Sequence, residues 1–203
     1  MARLKERPPR RLPPAARREQ LVRAATSVIA EQGYAGFSLD DVAARADVTR
    51  NLLYHYFPRG RIDLFLAALD GAGTALLENW AVDEDVPVAD RTRANFARVA
   101  DHVMSESDSW LVYRQARGLA DPDVEKLLRR QTDALVARVF LNQLGTTDPP
   151  PMAAVALRGY VAFAEAALED AKDRDVARED VIDLLSTTLG SVGREIGARS
   201  GGR

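Results

Sequence analysis

At 203 residues the chain can bury a substantial core, as one large domain or two small ones. The absence of cysteine excludes disulfides, thiolate metal sites and cysteine nucleophiles; no uninterrupted run of about 20 apolar residues suggests a membrane span, and the basic N-terminus lacks the apolar core of a signal peptide, so a cytoplasmic protein without membrane partners is expected. A net charge of only −2 conceals an asymmetry, because residues 1–61 carry 12 Lys+Arg against 6 Asp+Glu while the remainder carries 16 against 24; a basic head on an acidic body is a footprint of polyanion binding at one end.

Residues 1–16 set Arg3, Lys5, Arg7, Arg10 and Arg11 among four prolines, a composition expected to give a disordered basic arm that either solubilises the chain or adds phosphate and minor-groove contacts. A first helix is expected from about Ala15 to Gln32. Leu21, Ala24, Ala25, Val28 and Ile29 form one core-facing stripe, and Gly33 stands where a C-terminal glycine belongs. Arg17 and Arg18 at its start are candidates for sugar-phosphate contacts.

Residues 38–57 read as two short helices about a tight turn. Ser38 with Asp41 fits a capping box, and Leu39, Val42, Ala43 and Ala46 recur at helical spacing. Asp47 tolerates a left-handed turn, and Thr49 is a good second N-cap. In the second helix Leu53 and Phe57 point inward, leaving Arg50, Asn51, Tyr54 and His55 mostly outside. Such a set suits a helix in a major groove: arginine donates twice to guanine, asparagine pairs with adenine, and hydroxyls reach phosphates. An ordinary helical hairpin with a solvated polar face would look the same from this stretch alone.

The wording Ser-Leu-Asp-Asp-Val-Ala followed by Val-Thr-Arg-Asn-Leu-Leu-Tyr-His-Tyr-Phe-Pro resembles the N-terminal domain of the TetR family of bacterial transcriptional regulators, specifically over about residues 17–70. The resemblance implies an all-α fold of about nine helices. A helix-turn-helix DNA-binding domain over residues 17–61 would precede a ligand-binding and dimerisation domain over 62–199. It also implies base contacts from Arg50, Asn51, Leu52 and His55 and phosphate contacts from Thr49, Tyr54 and Tyr56, with Ser38 in the same DNA-binding set. Family members usually carry a phosphate-pinning lysine three residues after the position of Phe57. Here Gly60 stands there, flanked by Arg59 and Arg61, either of which has the charge for the task. Tyr56, three residues from Leu53, has core packing as its competing role.

Beyond the head, Ile62 to Trp80 predicts a fourth helix carrying Gly71 and Gly73, which serve either close packing or a bend. A fifth helix is expected over about Val88–Ser107, a short sixth over Ser109–Gly118, and a seventh from the Asp121-Pro122 opening to about Leu144. Two last helices, about 152–171 and 177–197, carry apolar stripes wider than one neighbour needs, which predicts a four-helix bundle with a second copy of the chain; Ser200 to Arg203 are expected to be disordered. Phe96, His102, Met104, Trp110, Tyr113, Arg114 and Tyr160 are residue types that line a ligand pocket, although most are as readily plain core. Arg114 or Arg158 facing inward would favour an anionic ligand.

These features predict a homodimeric, sequence-specific repressor released from a near-palindromic double-stranded operator by a small molecule, with no cofactor and no metal. An activator or a non-specific DNA binder of the same fold is the alternative. An enzyme is disfavoured, since no glycine-rich phosphate loop, G-x-S-x-G or paired histidines at ligand spacing occur.

Overall fold

The computed structural model describes residues 12–83, 85–145 and 150–200, apart from the side chains of 144 and 196–200. The arginines and lysine of the basic arm, Arg3 to Arg11, lie outside the described residues, as do 201–203. Nine α-helices and no strand occur among the described residues: α1 Pro14–Gly36, α2 Leu39–Arg45, α3 Arg50–Tyr56, α4 Arg61–Glu78, α5 Val88–Met104, α6 Asp108–Ala116, α7 Pro122–Leu144, α8 Pro151–Asp173 and α9 Arg178–Ser200. They form two compact units that divide between Ala68 and Leu69, within α4.

In the first unit α1 starts at Pro14, within a residue of the expected Ala15: a proline at the first helical position has its fixed φ preorganised and no N–H to lose. Gly33, at φ 76°, interrupts the helical geometry, and one further turn closes with the Phe37 N–H donating to the Gly33 carbonyl. Leu21, Ala25 and Ile29 of α1, Val42 of α2, Leu53 of α3 and Leu64 and Phe65 of α4 are all fully buried. Tyr34 meets Phe65 edge-on at 4.6 Å, so the first turns of α4 belong to this core and the unit extends past residue 61.

In the second unit α5, α7, α8 and α9 pack on one another. Asp121 caps α7 through bonds from the Asp123 and Val124 N–H groups (2.9 and 3.2 Å), Pro122 follows it, and Gly145 at φ 71° ends the helix. The fifth helix ends at Met104, three residues before the expected Ser107. Glu106 takes a positive φ of 50°, and Ser107 instead caps α6, accepting from the Trp110 N–H. Ser200 falls inside α9. Gly73 is a packing glycine: a Cβ there would come within 2.3 Å of the Gln131 side chain, whose amide donates to the Leu69 carbonyl at 2.8 Å. Around Gly71 there is open space.

Despite Arg158 and Glu165 within it, α8 is long and apolar enough by composition to cross a membrane, and 33% of its apolar window is buried in the chain. Its apolarity has a packing origin on one side. Ala153, Leu157, Tyr160, Val161, Ala164, Leu168 and Ala171 form a buried face, and the Tyr160 hydroxyl donates to the Leu185 carbonyl of α9 at 2.7 Å.

Candidate nucleic-acid interface

The head presents α3 by clamping it from beneath. Leu53 is fully buried and Phe57, its C-cap, nearly so. A seven-residue helix has too few internal bonds to persist alone, so these two anchors hold it. Ser38 caps α2: its hydroxyl accepts from the Asp41 N–H at 3.1 Å and donates to the Asp41 carboxylate at 2.5 Å. The turn is made at Asp47, φ 52°, followed by a bond from the Val48 N–H to the Ala43 carbonyl. Thr49 occupies the N-cap of α3 with extended geometry, but contrary to expectation its hydroxyl makes no cap bond.

Arg50, Asn51, Tyr54 and His55 are exposed; Leu52 and Tyr56 are half-buried, and the Tyr56 ring meets His55 edge-on at 5.2 Å. Arg50 is engaged already. Its guanidinium pairs with the Asp40 carboxylate at 2.8 Å, reaches the Tyr54 oxygen at 3.4 Å and lies over that ring at 5.8 Å. The Tyr54 bond first, then the field of Asp40, raises the arginine pKa further above its usual value. Exposed pairs of this kind contribute little, so the Asp40 pair is a weak competitor for a guanine edge.

Positions 59–61 separate in role. Gly60 is buried at φ 66°, and a Cβ there would stand 3.3 Å from the Tyr54 ring and 3.4 Å from Leu39, so a lysine at this position would be strained. Arg61 is turned into the head. It donates to the Tyr34 carbonyl and more weakly to that of Ala35, with its guanidinium 4.7 Å from the Phe37 ring centroid and 5.2 Å from that of Tyr34. Arg59 is bound locally, its Nε 2.7 Å from an Asp63 carboxylate oxygen, with its side chain 56% exposed. Arg50, Tyr54, Arg59 and Asp40 border one open groove of the head. At the start of α1, Arg17 donates to Gln20, which in turn donates to the Ala46 carbonyl, and Arg18 lies over Phe57.

The second unit holds a narrow cavity of about 50 Å³, walled by residues of α4 to α8 and by Trp80. Of the seven residues expected at a pocket, Phe96, Trp110 and Tyr160 line it. The others stand elsewhere. His102, whose pKa burial lowers, is within 3.3 Å of the Ser107 and Ser109 hydroxyls; Met104 is half-buried at the end of α5; and Arg114 is exposed. Tyr113 is buried behind the wall, donating its hydroxyl to Glu165 at 2.9 Å. Glu165 itself, Trp80 and Leu76 were not singled out from sequence. A lone carboxylate within an alanine-rich apolar stretch was the available signal for Glu165. No group of His, Asp and Glu suited to a metal occurs among the described residues.

A helix-turn-helix whose second helix is pinned from below and polar above, followed by a larger helical unit, is the arrangement a DNA-binding regulator of this kind uses. Residues 21–68 match the family model for bacterial regulatory proteins of the tetR family. The chain is 30% identical over 175 residues, 86% of its own length and 88% of the relative's, to the HTH-type transcriptional repressor LfrR of Mycolicibacterium smegmatis. It is 28% identical over 132 residues, 64% of its length and 60% of the relative's, to the HTH-type transcriptional activator FasR of the same organism. A tetR-family transcriptional regulator from Streptomyces coelicolor shares the fold, with a TM-score of 0.74 and 22% identity over 92% of this chain and 90% of that one. The chain therefore belongs to the TetR family of bacterial transcriptional regulators, which bind DNA and are not enzymes.

Proposed function

We propose that the chain acts as a homodimeric repressor that leaves a near-palindromic operator when a small molecule occupies the body. DNA reading is assigned to about residues 17–61, and dimerisation and ligand binding to about 62–199. Arg50, Asn51 and His55 reach base edges, Leu52 offers apolar contact to a thymine methyl, and Thr49, Tyr54 and Arg59 take phosphates. Tyr56 has a smaller share because it is half-buried. Ser38 and Arg61 are left a structural role, since the Ser38 hydroxyl caps α2 and a terminal amino group of Arg61 donates to the end of α1.

The observation that carries the dimer is a second apolar stripe on α8. Met152, Val155 and Phe163 are 63%, 65% and 40% exposed, on the side away from the buried face, and Leu184 of α9 is 49% exposed. A Cβ built at Gly159 in the same stripe meets nothing within 4 Å. Exposed apolar residues gathered on one helix pair mark an association surface, and a twofold pairing of α8 and α9 covers them as a four-helix bundle. Two copies of α3 then enter successive major grooves about 34–36 Å apart. The ligand acts through its differential affinity for body shapes that hold the two heads at matching or mismatched spacing.

Selection of bound fragments from random duplex DNA, with sedimentation of the free protein, tests this reading. A palindromic consensus and a dimer are expected. A monomer, or equal affinity for selected and scrambled duplexes, would overturn it.

A further inference from the structure

The body cavity has a chemistry of its own. Its wall is aliphatic and aromatic, with Trp80, Phe96, Trp110 and Tyr160 among the lining residues, and Glu165 is the one charged side chain on it among the described residues. The rings pack edge-to-face, Trp80 on Phe96 at 5.1 Å and 82° and Phe96 on Tyr160 at 6.2 Å and 67°. Steeply crossed rings present their electron-rich faces in more than one direction. The Arg114 and Arg158 side chains, expected from sequence to favour an anion if they faced inward, do not: Arg114 is exposed and Arg158 pairs with Asp133.

Glu165 is incompletely satisfied as a charge. Its Oε1 accepts from the Tyr113 hydroxyl, and its other oxygen lies 3.5 Å from Arg117 Nη1, a long ion pair that Arg117 shares with Glu169 at 3.3 Å. A carboxylate offers about four acceptor positions, so acceptor capacity remains. Burial raises the Glu165 pKa, the effect a nearby ligand cation would reverse.

Resting on the ligand-release reading above, we propose that the effector is a lipophilic cation, an aromatic or alkyl amine or quaternary ammonium whose charge is held by Glu165 and the surrounding rings. A desolvated cation gains from both the carboxylate and the π faces. An anion would meet Glu165 with no cationic side chain on the wall to offset it. A neutral molecule of the same shape would gain only apolar burial.

Both tryptophans of the chain, Trp80 and Trp110, line the cavity, so intrinsic fluorescence reports occupancy directly. The test titrates the full-length protein with phenylbutyltrimethylammonium, its uncharged tert-butyl isostere and a phenylalkyl carboxylate of matched length. The cation is expected to bind at least about tenfold more tightly than the isostere, and the carboxylate more weakly than either. Glu165→Gln should erase the preference for the cation while retaining affinity for the isostere, and Glu169→Gln, off the cavity wall, should keep it. Arg117→Ala, which removes a competing cation, should strengthen cation binding. Failure of the cation to bind, equal affinity of cation and isostere for the unaltered protein, or a preference surviving Glu165→Gln would overturn the proposal. Release of a selected DNA fragment is measured in parallel. Selective cation binding without release would refute the ligand-release mechanism alone, whereas release by the isostere or the carboxylate with no charge preference would refute the cation and leave that mechanism standing.

Discussion

Arg59 and Arg61 carry the same charge two residues apart, yet their side chains meet different partners, Asp63 for Arg59 and the end of α1 for Arg61, and truncating each to alanine separates the two. Arg61→Ala removes a charged donor from the Tyr34 and Ala35 carbonyls and a guanidinium from the Phe37 and Tyr34 rings. A hydrogen bond to a charged group is worth about 1.5–3 kcal/mol and a cation–π contact at a partly exposed site about 0.5–1 kcal/mol. The Ala35 bond is long at 3.4 Å, and the buried Arg61 Nε, which has no partner, already carries a desolvation cost. The expected net loss of head stability is therefore about 2–3 kcal/mol. Arg59→Ala should leave stability within about 0.5 kcal/mol, because its exposed i,i+4 pair with Asp63 contributes little. It should instead weaken binding to all duplexes alike and lower the salt slope by about one unit. Amide hydrogen exchange in α1 to α3 of the full chain reads the first effect, and fluorescence anisotropy on selected and scrambled duplexes at several salt concentrations reads the second. An Arg61→Ala protein with unaltered exchange and a reduced salt slope would show that Arg61, not Arg59, holds the phosphate, and the reasoning would fail.

Arg50→Ala should cost about 1–3 kcal/mol on the selected operator and relax preference at one base pair, with little change on scrambled DNA; equal losses on both would refute its base-reading role. Asp40→Ala frees Arg50 and removes a carboxylate from the groove edge, so affinity should rise by at most about 1 kcal/mol, measured by the same anisotropy titration. Leu184→Asp together with Phe163→Asp places two charges on the exposed α8–α9 stripe and should shift sedimentation from dimer to monomer without loss of helicity. Burial raises the Glu165 pKa in the folded chain, so the fold binds that proton more tightly than the unfolded chain does. Its stability is full below the ordinary carboxylate range and falls as pH rises through the raised value, a slope that Glu165→Gln should flatten in thermal unfolding.

Much of the molecule was legible from local patterns. The stripe Leu21, Ala24, Ala25, Val28, Ile29 is the buried face of α1, Asp121-Pro122 opens α7, and Asp47 makes the turn of the helix-turn-helix, because period, capping and backbone tolerance are properties of a few neighbouring residues. The inward anchors Leu53 and Phe57 and the outward Arg50, Asn51, Tyr54 and His55 follow from helical spacing alone. Contacts between residues far apart in the chain left no such trace. Nothing in Arg59-Gly60-Arg61 says that one arginine turns back to the end of α1, 26–27 residues earlier, while a left-handed glycine holds the pair apart. Glu165 likewise gains its meaning only when α6 brings Tyr113 and Arg117 to it across about 50 residues of sequence and the cavity forms beside it. Sequence determined which residues could lie on one face of a helix. Only the tertiary structure decided what that face would meet, because burial and pairing energies depend on distances that the order of residues does not contain.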